Sequence, residues 1–179
     1  MNINNDAGHG NMKKFIDFIL EASARDNPIN WTRPDANFEH HEVMDQHNLH
    51  QDAIKNGEQP VVPDWVAKRL EKLRDKKEWH STMKRGTVVN MTARHVSNAS
   101  GPGWRGGEHQ EPQPSWRQST WDPKKTRRAP TIYREGKKVQ RPIYLRHPQT
   151  GEMHLIAGHH RSVYVTQVRK QPIQAHVIE

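Results

Sequence analysis

Apolar positions in "MKKFIDFILEASA" (residues 12–24) carry a helical rhythm: Phe15, Phe18, Ile19 and Ala22 stand at i, i+3, i+4 and i+7. Asn27-Pro28 ends that amphipathic helix, because the residue before a proline is pushed out of the helical region. "FEHHEVMDQHNLHQDAIKNG" (38–57) is too polar for a clean stripe and is expected to be helical in part, closed by Gly57 and Pro60. "VPDWVAKRLEKLRDKKEW" (62–79) is the clearest helix, starting at Pro63 or Asp64. Trp65, Val66, Arg69, Leu70 and Leu73 share one face, with Lys68, Lys72, Asp75 and Lys76 elsewhere, as on a surface helix packed against a core.

The rhythm then changes. "GTVVNMTARHV" (86–96) is rich in strand formers. Residues 97–130 mix Gly, Pro, Ser, Trp and Arg without a period and are expected to be a long irregular loop, of the sort that is usually functional or mobile. From residue 131 the pattern predicts strand, turn and strand in "TIYREGKKVQRPIYLRH", a turn in "PQTGE" and a strand in "MHLIA". A junction "GHHR", a short helix "SVYVTQVRK" and a last strand "IQAHVIE" follow. Val163, Tyr164 and Val168 would give that helix its buried side, against their strand propensity. The expected fold class is α+β: a small C-terminal module preceded by helices and interrupted by a long irregular loop.

Composition narrows the function. Only 32% of the 179 residues are hydrophobic, and 23 are Pro or Gly, so a small packed module with long irregular stretches is expected. With no cysteine, disulfides, thiol catalysis and Cys-based zinc sites are excluded. No apolar run approaches the ~18–20 residues of a membrane span, and no secretory signal is expected. The net charge of +8 is uneven: residues 81–179 hold 17 Lys and Arg against 6 Asp and Glu, and residues 1–80 hold 11 against 14. Trp104, Trp116, Trp121, Tyr133, Tyr144 and Tyr164 lie in the basic half, a composition that suits phosphate backbones and stacked bases.

The junction "GHHR" concentrates this chemistry. Gly158 permits a tight turn and a close backbone approach. A helix starting there offers free N–H groups and a positive dipole end to an anion. Arg161 adds a fork that matches phosphate. His159 and His160, with ordinary pKa values of roughly 6.5, are candidates for moving a proton.

"RPIYLRHPQTGEMHLIAGHHRSVYVTQVRKQPIQAHVIE" (141–179) resembles the C-terminal half of the ParB/sulfiredoxin fold. Pro142, Ile143 and Leu145 match its first strand; Leu155, Ile156, Gly158, His160 and Arg161 match its strand-to-helix motif; Ile173, Ala175 and Val177 match its last strand. The resemblance implies a module over 86–179, with 97–130 as an insertion, in which the junction grips nucleotide or nucleic-acid phosphates. Gly158, His159, Arg161 and Ser162 would contact phosphate, and His160 and Arg161 would be catalytic. The sulfiredoxin cysteine is missing, and Gly-His-His-Arg is closer to the nuclease branch than to the Gly-Glu-Arg-Arg of partition proteins. No catalytic acid is assigned; Glu135 and Glu152 are candidates.

Residues 12–22 resemble the capsid-targeting peptides of internal head proteins in large myophages, with Ile19, Leu20, Glu21 and Ala22 as the protease site. The expected layout is therefore a leader at 1–27, cut after Glu21, a His-rich helical region at 28–85 and the module at 86–179. His40, His41, His47 and His50 cluster, but without H-E-x-x-H spacing they are expected to be polar surface residues, and no metal ligand is assigned. The expected function is that of a bacteriophage ParB-like nuclease or nucleotide hydrolase, served by a divalent ion such as Mg²⁺ or by a nucleoside triphosphate. Its partners would be nucleic acid or nucleotide and not a membrane, in the host cytoplasm or the virion interior. The alternative is a non-catalytic, DNA-associated internal virion protein. If the chain is packaged, N-terminal sequencing of virion protein should begin at Ala22; an intact leader there would refute the processing.

Overall fold

The computed structural model describes residues 28–101, 133 and 136–179. The leader at 1–27 with its cut site, residues 102–130 with Trp104, Trp116 and Trp121, and Glu135 lie outside the described residues.

After the two-residue strand β1 (Trp31–Thr32), Asp35 opens helix α1 (Ala36–Lys55). Its carboxylate accepts hydrogen bonds from the N–H groups of Asn37, at 2.9 Å, and Phe38, at 3.2 Å, satisfying two donors of the first turn. The polar segment expected to be helical in part is thus one continuous helix of 20 residues. Its buried stripe is Glu39, His40, Val43, Gln46, His47, His50 and Ala53. Hydropathy does not reveal this stripe, because most of its members are polar and are held by hydrogen bonds rather than apolar contact. His40 Nε2 lies 3.0 Å from the Leu73 carbonyl, which only accepts, so that nitrogen carries the proton. His47 Nε2 meets the Glu71 carboxylate at 2.5 Å. The expectation of surface histidines is corrected for His40, His47 and His50, all buried; His41 alone of the four is exposed.

The single helix expected over 62–79 is two: α2 (Asp64–Leu73) and α3 (Lys76–Arg85). Pro63 is the N-cap of α2, so Asp64 is its first helical residue. Asp75 makes the break. It adopts an extended backbone, and its carboxylate accepts from the Glu78 N–H at 2.9 Å, capping α3. A short acidic side chain competes for backbone donors in this way and so favours caps over helix interiors. The break turns Trp79 and Met83 onto the same core as Val66, Leu70 and Leu73. Trp79 is fully enclosed and donates its indole N–H to the Ala36 carbonyl at 2.6 Å.

Only the first half of "GTVVNMTARHV" is strand β2 (Thr87–Met91). Thr92 then caps a short helix, α4 (Ala93–Asn98), exchanging hydrogen bonds with His95. Pro142 lacks an N–H for a ladder, and the second strand expected after Gly136 is divided there. β3 (Val139–Gln140) pairs in parallel with β1, while β4 (Ile143–Arg146) enters the main sheet. Tyr133, expected in a strand, is helical and buried. β5 (Met153–Ala157), helix α5 (His159–Val163) and β6 (Ile173–Ile178) complete the order. The four-stranded sheet runs β2-β6-β4-β5, with β6 antiparallel to β2, parallel to β4, and β4 antiparallel to β5.

Alternation along the strands buries both faces. Ile143, Leu145, Ile156 and Ile178 join Val43, Leu70, Leu73, Trp79 and Met83 beneath helices α1 to α3. Tyr144, Leu155, Ala175 and Val177 join Val96, Tyr133 and Val165 on the other side. The His-rich helical region therefore shares a core with the sheet, in an α+β arrangement. Asp75→Ala, which removes the cap that separates α2 from α3, should lower stability by about 1 kcal/mol in urea unfolding. An unchanged midpoint would mean the break does not depend on the cap.

Candidate functional site

β5 ends at Gly158, which has φ of +92°, in the left-handed region that side chains resist. A Cβ there would stand 2.7 Å from Pro142 Cβ, 2.8 Å from Pro142 Cα and 3.0 Å from Arg161 Nε. The close approach expected of this glycine is thus made to Pro142 and Arg161 of its own chain. Helix α5 leaves from here, with Ser162 N–H bonded to the Gly158 carbonyl, and passes into a π-helical turn (Tyr164–Val168) closed by Arg169 N–H on Tyr164 O.

Arg161 folds back over the glycine. Its Nη1 donates to the Gln140 carbonyl and its Nη2 to Glu39 Oε1, both at 2.9 Å. The Glu39 side chain is 4% exposed and that of Arg161 23%, so the pair sits at the inner wall of the junction. Glu42, one helical turn further along α1, is half-buried. Burial raises its carboxyl pKa first of all; His41 opposes the rise, Glu39 and Asp45 add to it, and Arg161 opposes it. Helix α1 thus brings two carboxyl side chains, Glu39 and Glu42, toward the junction. Their i, i+3 spacing in "EHHE" places them on one helix face, but nothing local ties that face to a residue 122 positions away. Glu152, the other candidate acid, precedes β5, about 20 Å along the strand from Gly158. It lines an open cavity of about 750 Å³ with Asp64, Trp65 and Ser100.

The two histidines reach solvent in part, but the Nε2 atom of each is buried. Burial, with His160 and Arg161 adding to it, brings the His159 pKa down to about 3. His159 is therefore neutral near pH 7. Ser162, expected to touch phosphate, is corrected: it is fully enclosed, its hydroxyl accepting from Tyr144 OH at 3.0 Å. One helical position past Arg161, its side chain turns toward the sheet.

Behind the junction lies His154 of β5, fully enclosed. Its Nδ1 is 2.7 Å from Ser100 Oγ and its Nε2 2.9 Å from Gln46 Oε1. Gln46 uses its amide N–H to bond the Ile156 carbonyl at 2.7 Å, so Oε1 accepts and His154 carries its proton on Nε2. Burial brings this pKa too down to about 3, with His159 adding to the fall. Ser100–His154–Gln46 is a structural chain, since so strongly disfavoured an imidazolium makes a poor base.

Among the described residues, no group of three His, Asp or Glu side chains is placed to hold a metal ion, and no helix is long and apolar enough to cross a membrane. No protein family, characterised protein or solved structure matches the chain.

The buried histidines set a pH dependence. His154 and His159, and to a smaller extent His50 and His176, have folded pKa values below their ordinary ones, chiefly through burial. The unfolded chain then binds more protons than the folded one below pH roughly 6.5. Stability should be flat above that value and fall as the pH drops from roughly 6.5 toward 3. Urea midpoints across this range check the decline, and His154→Gln should make it shallower. Equal midpoints at about pH 7.5 and about pH 5 would contradict the assignment.

Proposed function

We propose that the chain binds nucleic-acid or nucleotide phosphates at the Gly158–Arg161 junction and hydrolyses a phosphoester there, in the manner of a bacteriophage ParB-like nuclease. The observation that carries this reading is the contact of Glu39 with Arg161, with Glu42 one helical turn along and within the electrostatic reach of the same guanidinium. It gives the junction two carboxyl side chains near a cation. Arg161 has five N–H donors and spends two on Gln140 and Glu39, leaving three for phosphate oxygens. In this reading water attacks phosphorus and gives its proton to His160, while Glu42, its carboxyl pKa raised by burial, protonates the leaving oxygen. His159, held neutral, shapes the wall. A divalent ion such as Mg²⁺ would neutralise the phosphate further, and a nucleoside triphosphate is a candidate substrate. The site of action would be the host cytoplasm or the virion interior.

A non-catalytic, DNA-associated virion protein is the second reading. It is favoured by the bracing of Arg161 from two sides, which also suits a purely structural arginine.

The test is hydrolysis of DNA, RNA and nucleoside triphosphates with and without Mg²⁺. Relative to the parent, Glu42→Gln and His160→Ala should each lose roughly 10²–10⁴ in rate with binding retained. Arg161→Gln alone would strand the buried Glu39 carboxylate, a cost of about 3–5 kcal/mol. It should therefore be paired with Glu39→Gln, and the double variant should lose about 1.5–3 kcal/mol of phosphate affinity. Binding without hydrolysis in the parent supports the second reading. Full affinity in the double variant reduces the junction to a turn.

A further inference from the structure

Helices α2 and α3 carry Lys68, Lys72, Lys76, Lys77 and Lys84, all exposed. Lys68 and Lys72 stand opposite the buried stripe of Val66, Leu70 and Leu73; Lys77 and Lys84 stand opposite Trp79 and Met83. Both stripes enter one core, so both lysine faces point away from it.

What distinguishes this surface is an excess of positive charge: residues 64–85 hold eight Lys and Arg against four Asp and Glu. The carboxylates of the two helices and their link are turned to other uses. Glu71 is held by His47 and Arg74. Asp75 caps α3, and Glu78 accepts from Arg69 and Thr82. Asp64 sits at the far end of α2, in the wall of the cavity with Trp65. Among the described residues none of the five lysines has an ion-pair partner. A charge sum over each half of the chain hides this, because the lysines straddle residue 80 and the acids around them cancel the sum.

We propose that the α2–α3 face is a docking surface for the phosphate backbone of a nucleic-acid duplex. The spread of charge selects a polymer over a mononucleotide. Lys77 and Lys84 are seven residues apart, about 10 Å along the helix, and a duplex presents one charge per ≈1.7 Å of its axis. The surface also lacks the apolar anchors that a lipid surface needs: among the described residues the exposed large hydrophobic ones are Phe38, Leu49, Ile54 and Val88, none of them on α2 or α3. Lysine ammonium groups act as point charges without the planar fork that reads a guanine edge, so they position the duplex without reading sequence. The inference deepens the phosphate reading proposed above and rests on it for the polymer's being the substrate.

The experiment is fluorescence anisotropy of a labelled duplex with the full chain over a salt series. The variant Lys68→Gln/Lys72→Gln/Lys77→Gln/Lys84→Gln removes four surface charges without touching the core. Its slope of log affinity against log salt should be shallower by about 0.9 for each phosphate that is no longer neutralised. An equal-charge control, Lys55→Gln/Arg94→Gln/Lys137→Gln/Lys138→Gln, should bind close to the parent. Hydrolysis of a nucleoside triphosphate should be unaffected by the four-lysine change, and Glu42→Gln should leave duplex affinity unchanged, so the two proposals fail separately. The surface assignment is overturned if the four-lysine variant matches the parent or the control weakens binding equally. It is overturned too if the parent binds anionic phosphatidylserine vesicles but no duplex.

Discussion

The Glu39 carboxylate and the Arg161 guanidinium meet at 2.9 Å where helix α1 passes the end of the sheet, with the carboxylate almost wholly removed from water. Two charges in such a place cost several kcal/mol each to desolvate, and their attraction repays this only when the remaining hydrogen-bonding capacity is also met. The Gln140 carbonyl takes a second arm of the guanidinium, and Gly158 leaves room for the stem to fold back. The geometry is correspondingly demanding. Moving α1 by one turn would strand both charges, so the pair fixes the helix against the junction and carries Glu42 with it.

A layer of buried polar contacts extends that constraint across the sheet. Gln46 spans the His154 ring and the Ile156 carbonyl, His154 reaches Ser100, and His40 ties α1 to the end of α2. Each bond is worth about 1 kcal/mol net, whereas an unmet partner would cost more than a bond contributes. Such a layer specifies one packing of α1 more strongly than it stabilises it. Its His154 link works only while that ring is neutral, which is why folding and protonation are linked here.

The two faces of the helical layer have opposite tasks. Inward, Glu39 and Gln46 of α1 are matched against the junction and the sheet, and His40 and His47 against α2. Outward, α2 and α3 leave lysines unmatched. In the proposed reading the lysine surface gathers an anionic polymer, and the junction beside Glu42 and His160 acts on a single phosphate. The division agrees with the chemistry of each group: ammonium ions work in water, and a carboxyl pKa rises as burial removes water.

Strands β4, β5 and β6, the inner face of α2 and the glycine turn at residue 158 were legible from the chain, because each depends on spacing between near neighbours: alternation, a 3.6-residue period, or a backbone angle open to glycine. The position of Arg161 at a strand-to-helix junction was legible for the same reason. Its partner was not. Glu39 lies 122 residues earlier in a helix whose buried stripe reads as polar, and only the packed sheet brings the two together. The same holds for the buried His40, His47 and His50, and for Ser162, which looks from the sequence like part of an anion loop yet faces Tyr144. The division of 62–79 at Asp75 is an intermediate case. The capping residue is visible, but a helix interior and a helix start differ there by about 1 kcal/mol, and the burial of Trp79 and Met83 tips the balance. Local sequence determined the strands and turns through steric and periodic rules; tertiary structure decided which polar side chains were removed from water, because only partners distant in the chain could compensate them.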